Sequence, residues 1–158
     1  MKASYITVVV LVNFLVFTRA GMAQMEETYS ASFDRVWDAT LAQLSSKYQI
    51  QSVDKVSGLI ETAERLMTKD KFTGQVLRYY AIEPAEDSQV YDELFMSAKA
   101  QVRRTTPTAT TLAVAIHYRT TTQEPTGIGR TSDWQSGGLA ERNVFEGVRR
   151  RLRTGAGM

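Results

Sequence analysis

The chain has no cysteine and a single histidine. The first absence excludes disulfides, a cysteine nucleophile and the lipid-bearing cysteine of a bacterial lipoprotein, so an exported form must be held by its core alone. The second means that a histidine-based zinc site or a Ser-His-Asp triad would have to be built on His117. Long apolar runs are missing too. The longest, Ile6 to Phe17, has 12 residues and is interrupted only by Thr7 and Asn13. A membrane-spanning helix needs roughly 20. Nor does charge of one sign dominate, with 19 Lys and Arg against 17 Asp and Glu.

The short apolar run reads as part of a secretory signal. Lys2 supplies a minimal positive start, and Gly21 and Ala23 place small residues for cleavage after Ala23. Residues 1–23 are therefore expected to be a signal peptide, and residues 24–158 a single α+β domain that is periplasmic or secreted. Without Lys2 and Arg19, 17 basic residues meet 17 acidic ones, so the pI of 8.9 belongs largely to the precursor. A neutral domain of ordinary composition gives no footprint for nucleic acid.

What is present begins with a helix. Ser32 is a good N-cap type, and Asp34 suits the positive end of the dipole. Phe33, Val36, Trp37, Thr40, Leu41 and Leu44 make one stripe, leaving Asp34, Arg35, Asp38, Gln43 and Ser45 facing away. Such a stripe must lie on a sheet, with Trp37 at its centre. Met25 to Ala31 reads as a short edge strand, and Tyr48 to Asp54 alternates at period two. Ser57-Gly58 marks a turn, and Leu59 to Leu66 resumes extended structure. Lys69 to Gly74 reads as a hairpin loop before a strand over Gln75 to Ile82, and Pro84 to Ser88 breaks the chain.

Two strands are clearest. Leu94, Met96, Ala98, Ala100 and Val102 alternate with polar neighbours, as do Leu112, Val114, Ile116 and Tyr118, with Thr105-Thr106-Pro107 between them. Arg119 to Gly138 reads as a loop of about 20 residues, long enough to be functional or disordered. Leu139 to Arg153 then forms a second helix on Ala140, Val144, Val148 and Leu152. The expected fold is an antiparallel meander of four to five strands, with a long N-terminal helix and a C-terminal helix packed on it.

That order is helix-grip-like. The residues Val36 and Trp37, followed by Asp54, Gly58, Ile60 and Thr62 in an Asp-x-x-x-Gly-x-Ile-x-Thr turn and strand, resemble the C-terminal modules of BamC-type outer-membrane assembly lipoproteins and related small envelope domains. The resemblance covers about 35 residues and implies a fold and an envelope location rather than a reaction. The chain departs from those lipoproteins in having no cysteine to carry the lipid.

Candidate chemistry is sparse. His117 falls on the polar side of its strand, as a surface residue would. Asp34 and Asp38 lie one turn apart on a solvated helix face, where nothing raises either pKa. Glu61 and Glu64 point to opposite faces of an unbroken strand. Gly127-Ile128-Gly129-Arg130 lacks the third glycine and the strand-turn-helix setting of a nucleotide loop. More distinctive are Arg130 and Trp134 in the long loop and the basic last helix, with Arg142, Arg149, Arg150, Arg151 and Arg153. The candidate interaction surface is Arg130, Trp134, Arg142, Arg149, Arg150 and Arg153, with Trp134 as anchor and the arginines as steering charge.

The function read from these features is a secreted, non-catalytic cell-envelope binding or accessory module with no cofactor or metal. Its expected partner is an envelope protein or an anionic envelope component, including peripheral contact with a membrane. Two alternatives stand beside it: a carrier of a small apolar ligand, with Trp37, Phe95 or Tyr118 near its pocket, and an enzyme of unrecognised type.

Overall fold

A computed structural model describes residues 24–69, 73–81, 91–123, 127 and 129–155. The expected signal segment and the Pro84 to Ser88 break lie outside them. The frame is one long hairpin. Strand β5 (Glu93–Thr106) pairs with β6 (Ala109–Gln123) through the turn at Pro107 and Thr108. Alternation sorts this hairpin into two faces: Ala100 meets Val114, Ala98 meets Ile116, and Met96 meets Tyr118, all buried on one side.

Each long strand is flanked by two short ones. Beside β6 lie β1 (Gln24–Tyr29), opposite residues 110–115, and β7 (Gly129–Gln135), opposite residues 117–123. Beside β5 lie β3 (Leu59–Thr62) and β4 (Arg65–Lys69), and β2 (Ile50–Asp54) pairs with β3 at the edge. The sheet is thus antiparallel and α+β as expected, but it has seven strands rather than four or five. The surplus has two sources. The extended run after Gly58 breaks at Ala63 and Glu64 into β3 and β4. Most of the expected long loop after Arg119 is instead the β6–β7 hairpin.

Helix α1 (Phe33–Ser45) buries Val36, Trp37, Thr40 and Leu44, with Phe33 and Leu41 partly buried against the core. Ser32 starts it through its carbonyl, which accepts the Val36 N–H at 3.1 Å, and its hydroxyl makes no cap. The last helix, α3 (Leu139–Thr154), is the longer of the two and buries Ala140, Val144, Phe145 and Val148 beside α1. The segment expected as a strand over Gln75 to Ile82 is instead α2 (Thr73–Tyr80). Leu77 is buried while Val76 and Tyr80 are partly buried, a helical spacing that β-branched and aromatic residues disguise. The Tyr80 ring lies 6.1 Å from that of Tyr118, so α2 shares the face covered by α1 and α3.

The β2–β3 turn fixes the edge of the sheet. Asp54 Oδ1 accepts the N–H groups of Val56 and Ser57 at 3.0 and 3.3 Å, and Gly58 closes the turn at φ 73°. The Gly58 carbonyl also accepts the Val102 N–H at 2.8 Å, and a Cβ at Gly58 would sit 2.0 Å from the Val102 carbonyl oxygen. Gly58→Ala therefore meets both a left-handed backbone and a backbone clash. It should cost about 2 kcal/mol or more in urea unfolding. A cost within about 0.5 kcal/mol, the range of a surface change, would show that the turn relaxes freely.

Candidate functional site

The sheet's open face carries His117, Glu61 and Glu64 of the titratable groups singled out in the sequence. His117 Nε2 lies 3.0 Å from Asp133 Oδ1 on the neighbouring strand. Glu61 is held by Lys99 at 2.9 Å and by the Ser52 hydroxyl at 3.0 Å, which keep its carboxyl below the usual range. Glu64 pairs with Arg119 from the break between β3 and β4, so the expected strand alternation between Glu61 and Glu64 does not apply. A groove of about 270 Å³ runs between Glu61, Ser97, Lys99 and His117. Its charges answer one another. On α1, a hydrogen bond from Lys55 at 2.8 Å holds the Asp34 carboxyl low, the reverse of what an acid catalyst needs.

The three aromatics expected near a carrier pocket do not share one. Trp37 and Tyr118 are buried on the helix-covered face, whereas Phe95 lies on the open face beneath the Arg119 guanidinium, 5.5 Å from its ring centre.

The expected interaction surface is redistributed. Trp134 is not an exposed anchor: it sits on β7 opposite Tyr118, is 8% exposed, and donates its indole N–H to Thr120 Oγ1 at 2.8 Å. Its ring meets Tyr91 edge-on at 5.3 Å. Arg130 is exposed opposite Thr122, whereas Glu27, which holds Arg149, lies opposite Leu112. Those positions are ten steps apart along β6, up to about 33 Å, so Arg130 lies far along the sheet from the arginines at the end of α3.

Those arginines divide by role. Arg149 makes a two-pronged pair with buried Glu27, Nε to Oε1 at 2.7 Å and Nη2 to Oε2 at 2.8 Å. This pair binds α3 to β1 across the sheet edge and pushes the guanidinium pKa up. Arg151 donates to Gln43 Oε1 at 3.3 Å. Arg142, Arg150 and Arg153 are exposed and make no ion pair among the described residues. Arg142 stands near the start of α3. Arg150 and Arg153 both line a groove of about 330 Å³ with Glu146 and Arg149. Arg150 also lines a second groove, of about 410 Å³, toward α1.

Sequence reasoning missed Gln43, which faces inward against Gly147. A glycine in mid-helix was the one available signal of that approach. It also missed Glu141, an acid in the first turn of α3 that reads as a solvated dipole partner. Glu141 is fully buried. Its Oε1 accepts the Ile116 N–H at 3.1 Å and its Oε2 accepts the Ser136 hydroxyl at 2.6 Å. Burial pushes its pKa up, outweighing the hydrogen bonds that lower it.

Two predictions follow from these placements. Glu141→Leu should orphan two buried polar groups at about 1–3 kcal/mol each, whereas Glu141→Gln keeps an acceptor for Ile116 and stays folded. Because the carboxyl pKa is raised above 4.5 in the folded state, the wild type loses stability relative to the Gln variant as pH rises from 4.5 through the folded value. Urea unfolding between about pH 4 and pH 8 measures this, and a constant difference would refute the assignment. Trp134→Ala should cost about 3–5 kcal/mol, as a core truncation does. A cost near zero would return Trp134 to the surface.

No protein-family model matches the chain, and no curated protein matches it. Among solved structures, it is similar to a DUF4468 family protein from Bacteroides ovatus ATCC 8483, at a TM-score of 0.36 and 11% identity over 75% of this chain and 67% of that one.

Proposed function

We propose that the protein is an exported, non-catalytic binding module of the bacterial cell envelope that docks an anionic envelope component on the exposed arginines of α3. The observation that carries this reading is the pairing pattern on that helix. Arg149 is committed to Glu27, while Arg150 and Arg153, one helical turn apart, line a groove with Glu146 and make no ion pair among the described residues. Three arginines beside one glutamate leave that groove with a net positive charge, which is what an anionic surface recognises.

Two further features support it. The first 23 residues have the pattern of a secretory signal. The placing of α1 and α3 on one face of the long hairpin is helix-grip-like, in keeping with the envelope modules that the Val36 to Thr62 stretch resembles. The pairing also selects the residues to test, since reversing Arg149 would strand Glu27 and unfold the edge.

The test is sedimentation of the purified full-length protein with phosphatidylcholine vesicles, with and without phosphatidylglycerol. Binding should require the anionic lipid and weaken as ionic strength rises past about 0.1 M. Arg150→Glu with Arg153→Glu should weaken it by about tenfold or more, since each basic side chain near such a surface contributes about 1 kcal/mol. Wild-type protein that ignores phosphatidylglycerol, or a reversed variant that binds as before, would overturn the proposal.

A further inference from the structure

The groove of about 410 Å³ between the C-terminal ends of α1 and α3 is lined by Gln43, Ser46, Lys47, Arg150, Arg151 and Thr154, beside Gly147. Three cations line it, and among the described residues no acid does. The groove is also built rather than incidental. Gly147 leaves room for the Gln43 side chain, which a Cβ there would meet at 2.1 Å and displace. Gln43 Oε1 in turn accepts Arg151 Nε at 3.3 Å, which leaves the terminal guanidinium nitrogens for a ligand.

Lys47 is fixed at the main chain on the opposite wall. Its N–H donates to the Leu44 carbonyl at 3.0 Å, and its carbonyl accepts from Arg65 at 2.9 Å. Helix C-termini ordinarily repel anions through their exposed carbonyls. Here the Ser46 hydroxyl donates to the Gln43 carbonyl at 2.7 Å, and the Thr154 hydroxyl donates to those of Arg150 and Arg151 at 3.2 and 3.1 Å. The Gln43, Arg150 and Arg151 carbonyls are thus occupied, which reduces their opposition to an anion beside the side-chain cations.

We infer that this groove seats the phosphate monoester of a lipid headgroup, held by Lys47, Arg150 and Arg151. The inference rests on the reading of α3 as the anionic docking face and names the group recognised there. A monoester presents three outer oxygens and a charge of about −1.5 to −2 near neutral pH, which matches three converging cations. A diester offers one charge and two free oxygens, leaving one cation without a partner. Arginine meets such oxygens through its planar fork, and lysine as a point charge. A lipid is the fitting source because Arg150 also lines the neighbouring groove with Arg153, so adjacent headgroups would meet the same helix.

The test compares phosphatidylcholine vesicles carrying phosphatidic acid with vesicles carrying phosphatidylglycerol at matched surface charge, using the full-length protein. Binding to phosphatidic acid should be about tenfold tighter, the gain of one further charge-assisted contact. Lys47→Ser with Arg151→Gln should bring that ratio to about one. Lys47→Ser alone, at an exposed position, should lower it part of the way if the double variant folds poorly. Equal wild-type binding to the two vesicles, or a ratio that survives the substitutions, would overturn the inference while leaving the broader docking reading intact. Absence of binding to either vesicle would overturn both. Competition by glycerol 3-phosphate as effective as that by phosphatidic acid would assign the groove to a soluble ester and overturn the lipid source.

Discussion

The sheet depends on how one cross-strand pair is completed. Ala98 and Ile116 face each other in the central hairpin, and at that level the flanking strands stop on both sides. β1 ends its pairing at Ala115 and β7 begins at His117, while β3 reaches Lys99 and β4 begins at Met96. Two outward N–H groups in the middle of the buried layer would be left without acceptors, each at a cost comparable to a lost hydrogen bond. Side chains fill both gaps. Thr62 Oγ1 accepts the Ala98 N–H at 2.8 Å, and Glu141 Oε1 accepts that of Ile116.

This completion explains the placing of α3. Glu141 reaches Ile116 only if α3 begins directly after β7, and the chain achieves that with Gly138 at φ 85° as N-cap. The Gly138 N–H donates to the Ser136 hydroxyl at 3.1 Å, and that hydroxyl donates to Glu141. A neutral Gln would serve Ile116 nearly as well, so the charge of Glu141 is a cost of burial offset in part by the amides around it. From this start α3 runs along β1, where Arg149 meets Glu27 and fixes the direction of the helix.

Much of this frame was legible because its signals are local. The α1 stripe and the alternation of β5 and β6 are set by spacing within one element, and Trp37, Leu44, Met96 and Tyr118 are buried as that spacing requires. The errors share another cause. Residues 119–123 and 129–135 are rich in Thr, Ser and Gly, which read as a loop, yet pairing between β6 and β7 gives their backbone partners and Trp134 a core to enter. Gln43 looks solvated on α1 alone and becomes buried through Gly147, more than 100 positions away. The break between β3 and β4 has no glycine or proline to announce it. The arginines were legible as a basic helix, but which one is committed depends on Glu27, 122 positions distant in sequence.

The remaining question is whether the arginines at the end of α3 only neutralise its dipole, a role that cations in a last turn commonly fill. The carbonyls decide against that as their whole purpose. The Leu152 carbonyl accepts Arg35 Nη2 from α1 at 2.9 Å. The Arg150 and Arg151 carbonyls take the Thr154 hydroxyl, and the Gly155 N–H serves those of Arg151 and Arg153. The negative end of the helix is therefore answered by a cation and donors other than Arg150 and Arg153. A residual dipole of about half a charge is small beside the full charges that these two side chains carry. Both side chains line the groove beside Glu146, and Arg150 lines the second groove as well, so the proposed docking rests on charge that the helix end does not consume.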